Sequence, residues 1–176
     1  MTSRCASICM IVAVCSAAIS IQALAGDREQ AAENKAIVLK AFEILGSRQY
    51  DKLDEVIATD YRRHCQATPE AKVESLEDFK ALSAEWDKSF PDAKMELDLI
   101  AVEGDLVAFY GRFFGTQKGP MGSFPATGKW MTCDFAGFHR LEDGKIVETW
   151  VTWDNLATLT QLGLFPPPPP SEGGAD

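Results

Sequence analysis

The hydrophobic pattern of this chain changes period at Pro91, and that change restricts the fold more than any other feature. Before the proline, Leu76, Phe79, Ser83, Trp86 and Phe90 recur at helical spacing. Ser75 stands in the N-cap position, with Asp78 three residues on as its capping-box partner. After it, Lys94 to Val102 alternates with period two and places Met95, Leu97, Leu99 and Ala101 on one face. Glu103-Gly104-Asp105 is a turn, Leu106 to Thr116 a long strand, and Lys118 to Thr127 a Gly/Pro-rich loop. Gly128 to Leu141 is a further strand, ending in the turn Glu142-Asp143-Gly144. Helices first and an antiparallel meander afterwards define an α+β layout, with helices covering one face of the sheet.

Two more helices are expected ahead of the proline. Residues 30–46 carry Val38, Phe42 and Leu45 on one stripe and end at Gly46. Asp51 to Ala58 reads as a short helix with Leu53, Val56 and Ile57 inward, and Asp60-Tyr61-Arg62-Arg63-His64-Cys65 as a loop. The last ordered stretch, Gly144 to Leu164, begins as a strand and ends as a helix. Ile146, Glu148, Trp150, Thr152 and Asp154 share one face of that strand by simple alternation. Asp154 and Asn155 are good N-cap residues, and Gly163 is a helix stop.

Residues 1–25 have the form of a signal peptide: Arg4, an apolar run from Ile8 to Ile21, and Ala23-Leu24-Ala25 before Gly26. A cleaved, periplasmic or secreted, soluble protein is expected, with one domain over 26–165 and a proline-rich disordered tail over 166–176. Loss of the leader removes Arg4 and no acid, moving the formal charge from −9 to −10. So acidic a chain argues against nucleic acid as a partner, and against membrane once the leader is gone. Cys65 and Cys133 are the cysteines that remain, either as one bridge or as two separate thiols. With no C-x-x-C pair, and with His64 and His139 far apart in sequence, no metal site is expected.

Long strands with aromatic and charged residues on the same face suggest a curved sheet that encloses them. Tyr110, Arg112 and Phe114 form one such set, and Trp130, Asp134, Phe138 and Arg140 another. Wrapped round the helices, they would wall a cone-shaped pocket of the small-molecule kind. In that pocket Asp154 is a candidate general base, or else a plain helix cap. His64 is a candidate orienting or protonating group, or else a structural loop residue. Gln117 would hold a substrate carbonyl, and Tyr110 and Arg112 an enolate or carboxylate. For Arg112 the alternative is pairing with Asp134 or Glu148 across the sheet. Trp130 and Trp150 would wall a ring, whereas Trp153 reads as packing, His139 as a solvated strand residue and Glu148 as the partner of a cation.

The order of these pieces resembles the NTF2-like fold, and more closely the SnoaL-like polyketide (ester) cyclase family. The residues that carry the resemblance are Asn34 through Phe42, Asp60-Tyr61 with His64, and Ser89-Phe90-Pro91-Asp92. They continue with Gly115-Thr116, Gly119 and Pro125-Ala126-Thr127-Gly128-Lys129, then Asp143 through Trp150 with Trp153-Asp154 and Gln161-Leu162-Gly163. The match runs over about residues 33–164. It implies a curved antiparallel sheet wrapped around N-terminal helices. It also implies, at the position of Asp154, an aspartate that takes a proton from a carbon acid and starts an aldol closure without metal or cofactor. Where the family usually reads G-T-H, this chain reads Gly115-Thr116-Gln117.

Three readings stand at this point. The chain is a cofactor-free acid–base enzyme of the cyclase, isomerase or hydrolase type acting on a small apolar carbonyl compound. Or it is a non-catalytic binder of a small hydrophobic molecule. Or it is a homodimer module. One fold hosts all three.

Overall fold

The computed structural model describes residues 3–165, with side chains from Ala25 onward. The elements in chain order are helix α1 (Ser3–Ser47), a 3-10 turn (Tyr50–Glu55), strand β1 (Ile57–His64) and helix α2 (Leu76–Ser89). Strands β2 (Lys94–Glu103), β3 (Leu106–Thr116), β4 (Trp130–Glu142) and β5 (Lys145–Trp153) follow, and helix α3 (Asn155–Leu162) closes the fold. Of the leader expected at 1–25, residues 3–25 fall on the first half of α1 and residues 1–2 lie outside the described residues, as does the tail at 166–176.

The sheet order is β1-β5-β4-β3-β2, antiparallel throughout except for β1, which runs parallel to β5. The α+β expectation therefore holds, on a mixed and curved sheet that does not close. The residues expected as a second helix and a loop instead make the 3-10 turn and β1. Their apolar spacing fits a helix locally. However, Ile57 and Tyr61 face the core from an extended segment, and partner β5 supplies the hydrogen bonds.

The helix caps agree with the sequence. Ser75 accepts from the Asp78 amide at 3.1 Å, and Asp78 accepts from the Glu74 amide at 3.1 Å. Asp154 caps α3 by accepting from the Ala157 amide at 2.9 Å, and Gly163 ends it at φ 72°. A cap of the Asp154 kind contributes about 1 kcal/mol.

Two packing centres hold helices to sheet. Val38, Ala41 and Ile44 of α1 pack with Leu53, Ile57, Tyr61, Leu76, Val107, Leu141 and Ile146. Phe90, Met131 and Leu162 form the second, with Trp86 and Phe113 against them. Phe42 and Leu45 sit one step round α1 from the first centre and are only half-buried. The space between the two centres is a cavity.

Two register shifts decide which residues face it. Between Leu97 and Leu99 a bulge inverts β2, so Ile100 and Val102 turn inward while Leu99 and Ala101 turn out. The expected four-residue apolar face is thus split. A second shift, opposite Arg140 and Leu141, puts Ile146 and Thr149 on the buried face and Glu148 and Trp150 on the other.

Candidate functional site: an aromatic cavity between helices and sheet

The cavity has a volume of about 220 Å³ and opens to solvent. Its walls come from all five strands: Tyr61 and Arg63 of β1, Lys94 and Met95 of β2, Phe109 and Phe113 of β3, Met131, Cys133, Phe135 and His139 of β4, and Thr149, Val151 and Trp153 of β5. Helices supply Phe42, Leu45, Phe79, Leu82, Trp86 and Asp87.

The floor is built from aromatic–glycine pairs. Phe109 stands opposite Gly137, and Gly111 opposite Phe135. A Cβ on Gly137 would come within 2.5 Å of the Phe109 ring, and one on Gly111 within 2.9 Å of the Phe135 ring. Each ring thus lies over the bare backbone of the neighbouring strand. Phe42 closes on both, edge-on to Phe109 at 5.4 Å and stacked with Phe135 at 6.1 Å.

His139 lies on this floor, not on a solvated face. It is 9% exposed and stacks on Phe109 at 4.5 Å. Its Nδ1 is 2.8 Å from Thr149 Oγ1, and its Nε2 has no partner. Burial pushes its pKa down from 6.5 to about 3, so the ring is neutral at ordinary pH. Tyr61, whose hydroxyl lies against the same Thr149, is pushed up to about 12, again by burial. At the wall, Tyr50 donates to Asp87 Oδ2 at 2.5 Å, and Arg48 Nε lies 3.0 Å from Asp87 Oδ1. Burial and the Asp87 carboxylate raise the Tyr50 pKa. Asp87 is the one carboxylate among the lining residues.

None of the seven site residues read from the sequence lines the cavity. Asp154 is an exposed cap of α3. His64 is on the outer face of the sheet, where its Nε2 is 2.7 Å from Glu148 Oε1 and its ring stacks on Trp150 at 5.4 Å. Arg140 reaches the same Glu148 at 2.8 Å and lies over Trp150, so Glu148 does pair with a cation. Tyr110 donates to Asp134 at 2.5 Å, while Arg112 pairs with Asp98 and Glu96 of β2 and not with Asp134 or Glu148. Trp130 is 58% exposed and Phe138 51%. The set expected to be enclosed, including Trp130, Asp134, Phe138 and Arg140, is therefore on the outer face. Period two yields two faces, and the helices cover the other one.

Gln117 is fully buried, but in the β3–β4 loop. It donates to Pro125 O at 3.1 Å and accepts from Thr127 at 2.7 Å, which uses its amide to pin the loop. Cys65 and Cys133 are separate free thiols, each half-buried. Cys133 lines the cavity, and burial raises its pKa. Among the described residues, no group of three or more His, Cys, Asp or Glu side chains is placed to hold a metal ion.

The sequence reading passed over His139, Arg63, Phe109, Phe135, Trp86 and Asp87. For the sheet residues a signal was present. Cys133, Phe135, Gly137 and His139 form one apolar alternation, and strand-interior glycine marks close approach of a neighbour.

Known structures share this architecture. A candidate SnoaL-like polyketide cyclase from Jannaschia sp. CCS1 superposes with a TM-score of 0.71 at 26% identity, covering 78% of this chain and 96% of its own. IdmH from Streptomyces antibioticus, a candidate polyketide cyclase, gives 0.65 at 28% identity, with 74% and 98% covered. AclR from Streptomyces galilaeus, a candidate hydroxylase, gives 0.68 at 26%, with 80% and 91% covered. A comparison with curated proteins finds no match. The family model for SnoaL-like polyketide cyclases matches residues 35–162, which include every strand of the sheet and the whole cavity floor, and the chain belongs to that family.

Proposed function

We propose that this protein is exported and binds a small, ring-bearing, largely apolar molecule in the cavity between α1, α2 and the sheet. The observation that supports this is the cavity itself: an aromatic floor and walls with a few inward polar groups, the usual composition of a small-molecule site. Its size argues for a compact ligand. An apolar cavity of roughly 150 Å³ takes one benzene, so about 220 Å³ suits one or two fused rings.

The test uses the protein's own fluorophores. Trp86 and Trp153 line the cavity, whereas Trp130 and Trp150 do not. Titration with a neutral bicyclic ester such as methyl 2-naphthoate should change Trp emission saturably. The change should shrink in Trp86→Leu and Trp153→Leu and persist in Trp130→Leu. A linear, non-saturating response up to the solubility limit, with this ester and with 2-naphthoate alike, would refute the reading. Export is checked by intact mass: the form recovered outside the cytoplasm should begin at Gly26.

A second reading is catalytic, in line with the cyclase and hydroxylase names carried by the structural neighbours. The observation that favours it is Asp87, a carboxylate on the cavity wall oriented by Tyr50 and Arg48. It is better placed than Asp154 to take a proton from a carbon acid in the cavity. Asp87→Asn would abolish turnover of any substrate found, whereas Asp154→Asn would not.

A further inference from the structure

Three buried side-chain polar atoms among the described residues have no hydrogen-bond partner: Arg63 Nη1, Thr68 Oγ1 and His139 Nε2. Two of the three belong to cavity-lining residues. Buried polar groups are ordinarily satisfied, so two orphans in one cavity call for an explanation.

Arg63 is the more telling. Arg48 pairs with Asp87, Arg112 with Asp98 and Glu96, and Arg140 with Glu148 and Asp105, while the other two described arginines without an acid in reach, Arg28 and Arg62, are exposed to solvent. The chain carries 26 acidic residues against 17 basic ones. Acids are plentiful, yet none among the described residues lies within ion-pair distance of Arg63. Instead its guanidinium lies 5.7 Å from the centre of the Trp153 ring, at the cavity wall. Stacking of this kind orients the planar fork and leaves its N–H edge free. A half-buried guanidinium without a counter-charge is unfavourable in the empty protein and favourable once a carboxylate meets it.

The sheet register relates the two orphans. Arg63 pairs with Thr149, and Thr149 with His139, so the three occupy one row across β1, β5 and β4. Arg63 and His139 are therefore two strand spacings apart, about 10 Å between backbones. With Phe109 and Phe135 on the floor beside them, Arg63 gives this row of the cavity a cationic end and His139 a neutral hydrogen-bonding one; of the other lining cations, Arg48 is paired with Asp87 and Lys94 is exposed at the start of β2. We infer that the ligand is an aromatic or polycyclic carboxylate, its anionic end on Arg63 and its rings on the phenylalanine floor. This rests on the binding reading above and narrows it from a largely apolar ring compound to an acid.

The test pairs 2-naphthoate with its methyl ester at pH 7.5, where an ordinary carboxylic acid is ionised. Trp emission or calorimetry on the full mature chain gives both Kd values. The wild type should bind the acid roughly 10- to 100-fold more tightly than the ester, the range of one charge-assisted hydrogen-bonding contact. Arg63→Met should remove that preference while leaving ester affinity within about threefold. Arg63→Lys, which keeps the charge but not the fork, should retain part of it. Should Arg63→Met fail to fold, the acid–ester ratio of the wild type and of Arg63→Lys decides by itself. Ester binding as tight as the acid in the wild type, or an acid preference that survives Arg63→Met, overturns the inference and leaves the cavity reading standing. Saturable binding of neither probe overturns both.

Discussion

Acid should weaken this fold through His139 in a way that a single substitution isolates. The imidazole is neutral in the folded state, with its pKa lowered by burial from 6.5 to about 3. The unfolded chain titrates near the ordinary value, so between these limits the unfolded state holds one more proton than the folded one. Stability from this site is complete above about pH 6.5 and is lost as the pH falls toward about 3. At pH 5 the two states differ by about 1.5 units of protonation free energy, each about 1.36 kcal/mol, or about 2 kcal/mol in all. Carboxyls held low in the folded state, such as Asp92 at about 2 and the lowered Asp78 and Glu55, act mainly at more acid pH and equally in both proteins. His139→Gln keeps an amide within reach of Thr149 and removes the titration. Urea unfolding of both proteins at pH 8 and pH 5 gives four free energies. The wild type should lose about 2 kcal/mol more than the variant between the two pH values, whatever the variant's own stability. A double difference below about 0.5 kcal/mol would show that His139 is not buried uncharged, and would remove the neutral pole from the cavity.

Other expectations follow from the same geometry. Asp154→Ala should cost about 1 kcal/mol by loss of the cap on α3, and Asp154→Asn close to nothing, as measured by thermal or urea unfolding. Trp86→Ala should cost at or below the low end of the roughly 3–5 kcal/mol seen for buried tryptophan, because Trp86 is half-buried at a cavity. The same variant should weaken ligand binding. Gly137→Ala should destabilise by about 1–3 kcal/mol or more, since its Cβ would meet the Trp150 carbonyl oxygen at 2.2 Å. An unchanged unfolding midpoint there would mean that the sheet yields locally.

Much of the scaffold was legible in the chain because its signals are local. Ser75 with Asp78, Pro91, the two turns and the Asp154–Gly163 helix each act within a few residues, and each is where the spacing puts it. The first strand was not legible. Its residues, IATDYRRH, have no alternating apolar face, and only pairing with β5, some 85 residues away in sequence, makes them extended. The cavity lining was hidden for a different reason. Alternation along β4 separates Trp130, Asp134 and Phe138 from Met131, Cys133, Phe135 and His139 without saying which set is inside. The first set holds the larger aromatic and charged residues, which in this fold face outward. The quieter clue was Gly137 and Gly111, since a glycine inside a strand is where another ring presses on the backbone. Bulges in β2 and β5 invert the parity further along, and neither has a sequence mark of its own.

The paired arrangement of Phe109 over Gly137 and Phe135 over Gly111 has an evolutionary corollary. In each pair one partner is as large as the other is small, so exchanging them conserves the volume of the floor. Exchange is blocked all the same, because a Cβ at position 137 would meet the Trp150 carbonyl oxygen at 2.2 Å and one at position 111 the Glu96 carbonyl oxygen at 2.3 Å, backbone atoms that a smaller residue at 109 or 135 does not move. The two glycines therefore fix which strand carries each ring, and relatives that keep this floor should keep glycine at both places.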